Sequence, residues 1–252
     1  QLAGATYQGV EKLSDNLIAY RFLKADGSQL AVIWAIKGSE IVGLRSEAAS
    51  AQLMDLFGNK APLHFHNGVV TLTISEEPIY LIGDLGALSL VEPQFLPQRE
   101  VETIVSGELT PVRLSLSGID GAGQFVLDLP DGLQHSGSSA FAAGASSAEL
   151  NLKAVGLSQD KVYEYVIYPV VGRQVIGRIA HKVQMTNPVD VAVAPLYQNE
   201  QWNVVVKVEN HSRTQTLSGS VAMLEPADWA KEPISFADLG PEQTREFVFP
   251  LE

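Results

Sequence analysis

Apolar residues in this chain recur at every second position in segment after segment, and that period excludes most folds at once. A two-residue repeat turns alternate side chains to opposite faces of a strand, whereas an amphipathic helix needs a repeat of about 3.6. Leu17-Ile-Ala-Tyr-Arg-Phe22 and Leu30-Ala-Val-Ile-Trp-Ala-Ile36 flank the turn dipeptide Asp26-Gly27 and predict a hairpin. Short strands follow at Ile41 to Leu44, Gln52 to Leu56, Leu63 to Phe65, Val69 to Ile74 and Ile79 to Ile82, with turns at Phe57-Gly-Asn59 and Asn67-Gly68. The two stretches closest to helical spacing, Leu2 to Val10 and Ala48 to Met54, are too short for a stable helix. The expected class is therefore all-β, with two to three β-sandwich modules of Ig-like or jelly-roll-like type in tandem.

Gly, Pro and charge accumulate from Gly83 to Pro97 and mark a first boundary. Strands are predicted beyond it at Val101 to Val105, Val112 to Leu116, Gln124 to Leu129, Ala148 to Ala154, Val162 to Val171 and Val175 to Met185. Ser136 to Ser147 reads as a loop. Thr186-Asn-Pro188 punctuates the chain again, before strands at Val189 to Pro195, Trp202 to Glu209, Leu217 to Leu224, Ile234 to Phe236 and Glu246 to Pro250. The expected modules are 1–92, 93–186 and 187–252.

One pattern occurs twice. Arg113-Leu-Ser-Leu-Ser-Gly, Gln124-Phe-Val-Leu-Asp-Leu-Pro130-Asp-Gly, Phe141 and Ala148-Glu-Leu-Asn-Leu152 follow the same order as Lys207-Val-Glu-Asn, Ser218-Gly-Ser-Val-Ala-Met-Leu-Glu-Pro226-Ala-Asp-Trp229, Phe236 and Arg245-Glu-Phe-Val-Phe249. The copies lie about 95 residues apart, the size of one Ig-like sandwich. The first copy runs on into two long strands and the second has none after it. The last module is therefore expected to be incomplete, truncated or completed by another segment.

The net charge of −12, from 29 acidic and 17 basic residues, leaves no clustered basic face. That argues against a nucleic-acid partner and disfavours a polyanionic glycan, while a neutral polysaccharide, or no ligand at all, is compatible. There are no cysteines, so disulfides and thiolate chemistry are absent. No apolar run reaches the ~18 residues of a membrane span, and a membrane partner is not expected. The chain opens on Gln1 and is read as a processed, trimmed or recombinant fragment, expected to be a monomer.

The acids Asp26, Asp55, Asp84, Asp120, Asp128, Asp131 and Asp160 sit mostly in turns, where they serve the backbone. No nucleophile elbow, His-Glu-x-x-His, phosphate loop or EF-hand loop is present, and no catalytic residue is assigned. His64 and His66 share a strand face without a visible third ligand. Asp128 and Asp131 flank Leu-Pro and could help hold a structural Ca²⁺, which needs six to eight oxygens, but turn acids without a cation are the expected reading, and no other metal or cofactor is expected. Sugar binding by a sandwich needs exposed aromatic faces. Trp34 is in phase with Val32 and Leu30 and is assigned to the core, with Tyr20 and Phe22 as neighbours. Tyr163 and Tyr165 share a face, Tyr168 points the other way, Trp229 ends a strand, and Tyr197 and Trp202 bracket the hairpin loop Gln198-Asn-Glu-Gln201. Trp202, Tyr197, Trp229, Tyr163 and Tyr165 are the candidate carbohydrate-binding residues. Asn210-His211-Ser212 matches a glycosylation sequon, a pattern frequent by chance.

Leu2-Ala-Gly-Ala-Thr-Tyr7, Ala19-Tyr-Arg-Phe22 with Asp26-Gly27, Leu30-Ala-Val-Ile-Trp34, Asp55-Leu-Phe-Gly-Asn59 and Glu77-Pro-Ile-Tyr80 occur in this order over the first ~85 residues. In that order they resemble the small β-sandwich that follows the barrel of many (β/α)8 glycoside hydrolases. Leu-Pro-Asp-Gly and Glu-Pro-Ala-Asp-Trp in the later sections resemble Ig-like repeats of glycosidases and bacterial surface proteins. The resemblance implies a non-catalytic accessory segment of a secreted or cell-surface bacterial glycosidase. Its partners would be a polysaccharide or the parent's barrel. It also implies that Leu2 to Tyr7 packs on that barrel and frays in isolation; a large apolar patch left bare on the first module would favour this reading, and an exposed coplanar aromatic strip would favour carbohydrate binding. The alternatives are a true carbohydrate-binding module and an adhesion-type Ig-like array.

Overall fold

The structure is a computed structural model and describes residues 4–159, 161–223 and 232–251. It is all-β, and no helix occurs among the described residues. The first section contains β1 (Thr6–Lys12), β2 (Leu17–Leu23), β3 (Gln29–Ala35), β4 (Ser39–Arg45), β5 (Ser50–Met54), β6 (Lys60–His64), β7 (Val69–Ser75), β8 (Ile79–Gly83) and β9 (Ser89–Val91). A six-stranded sheet in the order β1-β2-β3-β8-β5-β6 packs on β7-β4-β9. Between them lie Leu17, Ala19, Ala31, Ile33, Leu53, Leu72 and Leu81, all buried. Asn67 and Gly68 both take positive φ (52° and 75°), the left-handed pair that the Asn-Gly dipeptide supplies between β6 and β7.

The second section contains β10 (Phe95–Pro97), β11 (Val101–Val105), β12 (Leu109–Leu116), β13 (Gly123–Asp128), β14 (Leu133–Ser136), β15 (Ala140–Phe141), β16 (Ser147–Ala154), β17 (Val162–Val171), β18 (Gln174–Val175) and β19 (Gly177–Thr186). The sheet β10-β12-β16-β14 faces β15-β13-β17-β19, and β11 runs parallel along β19. The core between them gathers Phe95, Phe125 and Phe141 with Leu114, Leu150 and Ile179.

These two sections are not separate beads. β19 pairs parallel with β7 through Gly177–Thr71 and Arg178–Leu72, which makes one nine-stranded sheet. Gly177 permits the approach, since a Cβ there would lie 2.7 Å from the Thr71 carbonyl oxygen. Ala180 N–H donates to Thr73 Oγ1 at 2.8 Å across the same seam.

The third section contains β20 (Val189–Gln198), β21 (Gln201–Asn210), β22 (Leu217–Val221), β23 (Ile234–Leu239) and β24 (Thr244–Pro250). The sheet β20-β21-β24 faces the pair β22-β23. Among the described residues its core holds five buried apolar side chains, Val206, Val208, Leu239, Phe247 and Phe249, against nineteen in the second section. Polar contacts fasten it to its neighbour: Ser212 Oγ donates to Glu108 at 2.5 Å, and Arg213 lies 3.6 Å from Glu102.

One strand was not anticipated, and one expectation needs correction. Thr6–Lys12 is a strand paired with β2, although its side chains fail to alternate. A register shift between Tyr7 and Gly9 inserts one residue and breaks the period. The predicted loop Ser136 to Ser147 holds the short strand β15, which its Gly and Ser content conceals.

Candidate functional site

The strongest surface feature arises from β2 and β3 being apolar on both faces. Their inward positions carry Leu17, Ala19, Ala31, Ile33 and Ala35, mostly small. The larger side chains point the other way. The register pairs Tyr7 with Phe22, Val10 with Tyr20, Ile18 with Trp34, Tyr20 with Val32 and Val32 with Tyr80, and directly opposed residues share a face. Tyr7, Tyr20, Phe22, Trp34 and Tyr80 therefore form one aromatic outer face. Tyr20 and Trp34 stack at 5.1 Å and 10°, and Tyr7 lies 5.6 Å from Phe22. Leu30 and Val32 at the centre are already shielded, while Tyr7 and Val10 are more than half exposed. No strand among the described residues forms a second layer over this face.

Trp34 thus has the neighbours expected of it but lies on the face turned away from the core. Alternation fixes which residues share a face. When both faces are apolar it does not fix which one is inside. The usable signal was size: three alanines on one side of β2 and β3 against three rings on the other.

The candidate carbohydrate residues do not form one site. Tyr197 and Trp202 are opposed across the β20–β21 hairpin, both more than half exposed, with rings 5.1 Å apart and tilted by 55°. That tilt offers no flat common platform. Tyr165 is buried in the second core and has no face to give a sugar. Tyr163 is half-buried against the same core, its hydroxyl accepting from Ser158 N–H at 2.9 Å. The strip read from their shared phase is interior packing. Trp229 lies outside the described residues.

Tyr165 belongs to a buried polar chain that sequence reading did not find. Its hydroxyl meets His181 Nδ1 at 2.9 Å, and His181 Nε2 meets the Arg99 carbonyl at 2.8 Å. A carbonyl only accepts, so Nε2 carries the proton and Nδ1 accepts from the tyrosine. Burial, aided by the nearby negative charge of Glu102, pushes the Tyr165 phenol well above its ordinary range. Burial holds His181 below its ordinary value, partly offset by the Arg99 carbonyl. Glu102 is itself buried between Arg99 at 3.2 Å and Arg213 at 3.6 Å. Tyr165 and His181 both rest in their neutral forms.

A cleft of about 730 Å³ on the first section is lined by Glu47, Ser50, Gln52, His64 and Asp84 together with Ala51, Pro62 and Ile82. No Phe, Tyr or Trp lines it. His66 pairs with Asp120 at 2.8 Å, away from His64. Among the described residues no group of three or more His, Asp or Glu is gathered as a metal site would need. Asp55, in the turn before Asn59, accepts from the Asn59 side chain and backbone, which lowers its pKa. The turn so fixed leaves Phe57 almost wholly exposed.

No known family matches the chain, and no curated protein is similar to it in sequence. Among solved structures it is similar to the Pseudomonas aeruginosa CupB2 chaperone, with 15% identity over 60% of this chain and 87% of that one, at a TM-score of 0.27. It is also similar to domains 4–9 of the surface layer protein SbsC, with 10% identity over 98% of this chain and 47% of that one, again at 0.27. At such scores neither likeness carries an argument about this protein.

Proposed function

We propose that the chain is a non-catalytic accessory segment of a glycoside hydrolase, whose first module buttresses the catalytic (β/α)8 barrel. The observation that supports this is the aromatic face of the half-buried Tyr20, Phe22 and Trp34 and the exposed Tyr7, over which no strand among the described residues is layered. It is built from the same residues, Ala19-Tyr-Arg-Phe22 and Leu30 to Trp34, that carry the sequence resemblance. An apolar sheet face of this kind on a soluble protein marks an interaction surface. The ring-rich composition suits burial against a second hydrophobic layer, where aromatic anchors dominate the energy.

The test is made in the complete protein from which this segment is read. Tyr20→Asp with Trp34→Asp should leave the isolated 252-residue chain folded, because both side chains lie outside its core. In the complete protein the same pair should lower the melting temperature and the glycosidase activity. A complete protein with no glycosidase barrel, or one indifferent to both substitutions, refutes the reading.

A carbohydrate-binding role is the second reading, supported by the exposure of Tyr197 and Trp202. It predicts retardation of the chain in gels containing one neutral polysaccharide, abolished by Trp202→Ala.

A further inference from the structure

Two strand pairings of the third module repeat those of the second. β12 pairs antiparallel with β16, and β21 with β24. β13 pairs with β15 through Gly123 opposite Phe141, and β22 with β23 through Gly219 opposite Phe236. In both places the glycine lies against the phenylalanine ring: a Cβ at Gly219 would come 3.3 Å from Phe236, and one at Gly123 would collide with Phe141. The repeat seen in sequence is thus a repeat of pairing.

Among the described residues β14 and the pair β17–β19 have no counterparts in the third module. In the second module β17 lies along the other edge of β13, and β19 beside β17. Their Tyr165, Ile167, Ile179 and Val183 are buried in the core. Among the described residues β22 has no partner on that edge and no counterpart of β19 exists. Across the gap, Val191 and Val193 oppose the buried Val208 and Val206, so they point to the core side. Yet they are 60% and 65% exposed. Tyr197 and Trp202 continue the same face.

We infer that the open side of the third module, from the free edge of β22 to Val191, Val193 and Trp202, is a strand-acceptor groove. Its occupant is an antiparallel pair of strands of the same polypeptide with the alternating apolar pattern of β17 and β19. The second module supplies the argument for a source in the same chain: there the covering pair follows β16 directly, through residues 155–161. Tyr197 and Trp202 are on this reading the rim of an interior. The inference is independent of the role of the first module.

The test extends the full chain at its C-terminus by a copy of residues 155–187 and follows amide exchange. Exchange in β20, β21 and β22 should slow by about ten-fold or more, with the first two modules unchanged as internal controls. Val193→Asp in the extended chain should abolish the gain, while Ala192→Asp, on the opposite face, should keep it. Unchanged exchange on extension, or equal effects of the two substitutions, overturns the inference. So does a concentration-dependent dimer of the unextended chain with β20 already protected, which would make a second copy the occupant.

Discussion

Ile33 and Trp34 are neighbours on β3 that point to opposite faces, and truncating each gives opposite answers about what the sheet covers. Ile33 is 1% exposed between the two layers of the first module. Ile33→Ala removes three carbons at about 0.8 kcal/mol each, near 2.4 kcal/mol, before any cavity cost. The whole penalty for such a truncation is about 2–5 kcal/mol. Trp34 is larger, and in a core its loss would cost about 3–5 kcal/mol. On the outer face it leaves no enclosed cavity, and what it loses is the stack on Tyr20 and part of its shielding. The stack is worth about 0.5–1.5 kcal/mol. Trp34→Ala should therefore cost about 1–2 kcal/mol in the isolated chain, less than the smaller neighbour. Urea unfolding followed by circular dichroism, with exchange at β3 to assign the transition to the first module, measures both. A Trp34→Ala penalty equal to or above that of Ile33→Ala would show the ring buried in a core and refute the assignment of faces.

Three further outcomes follow from the polar chain and the seam. Tyr165→Phe leaves His181 Nδ1 without its donor and should cost about 1–3 kcal/mol by denaturant titration; a neutral result would deny the bond. His181 is held below its ordinary value of 6.5 by burial, so the unfolded chain takes up its proton first as the pH falls. The stability it contributes is complete above pH 6.5 and declines as the pH falls from there toward the folded value. The second module's denaturation midpoint should drop between pH 7 and pH 5.5 more steeply in the wild type than in His181→Gln. Gly177→Ala would press a methyl group on the Thr71 carbonyl oxygen and should cost about 1–3 kcal/mol, with faster exchange at Thr71 and Ala180. Wild-type stability in that variant would refute the close approach.

Strand positions were legible in the sequence where a run rich in β-branched, aromatic and other apolar residues was bounded by turn residues, as in β2, β3, β7, β17 and β21. The hairpin turns at Asp26-Gly27 and Asn67-Gly68 announced themselves through residues that tolerate left-handed φ. β1 was illegible because its bulge shifts the phase at Gly9, so Tyr7 and Val10 share a face despite an odd spacing. β15 is two residues long and carries no pattern at all. The parallel seam between β7 and β19 pairs residues more than a hundred apart, and no local signal announces it. The aromatic outer face was half legible. Tyr20, Phe22 and Trp34 were recognised as one group, but two apolar faces on one strand make the inside a matter of what lies above and below. The tyrosine–histidine chain depends on cross-strand register between Tyr165 and His181, which periodicity does not carry.

The central claim is that the aromatic face of the first module is covered in the complete protein. Hydroxyl-radical footprinting of Tyr7, Tyr20 and Trp34 compares that face in the isolated chain and in the complete protein. The account predicts oxidation of all three rings in the isolated chain, fastest at the exposed Tyr7 and slower at the half-buried Tyr20 and Trp34, and strong protection of all three in the complete protein, with Phe57 as an exposed reference in the isolated state. Equal oxidation of the three rings in both would contradict it.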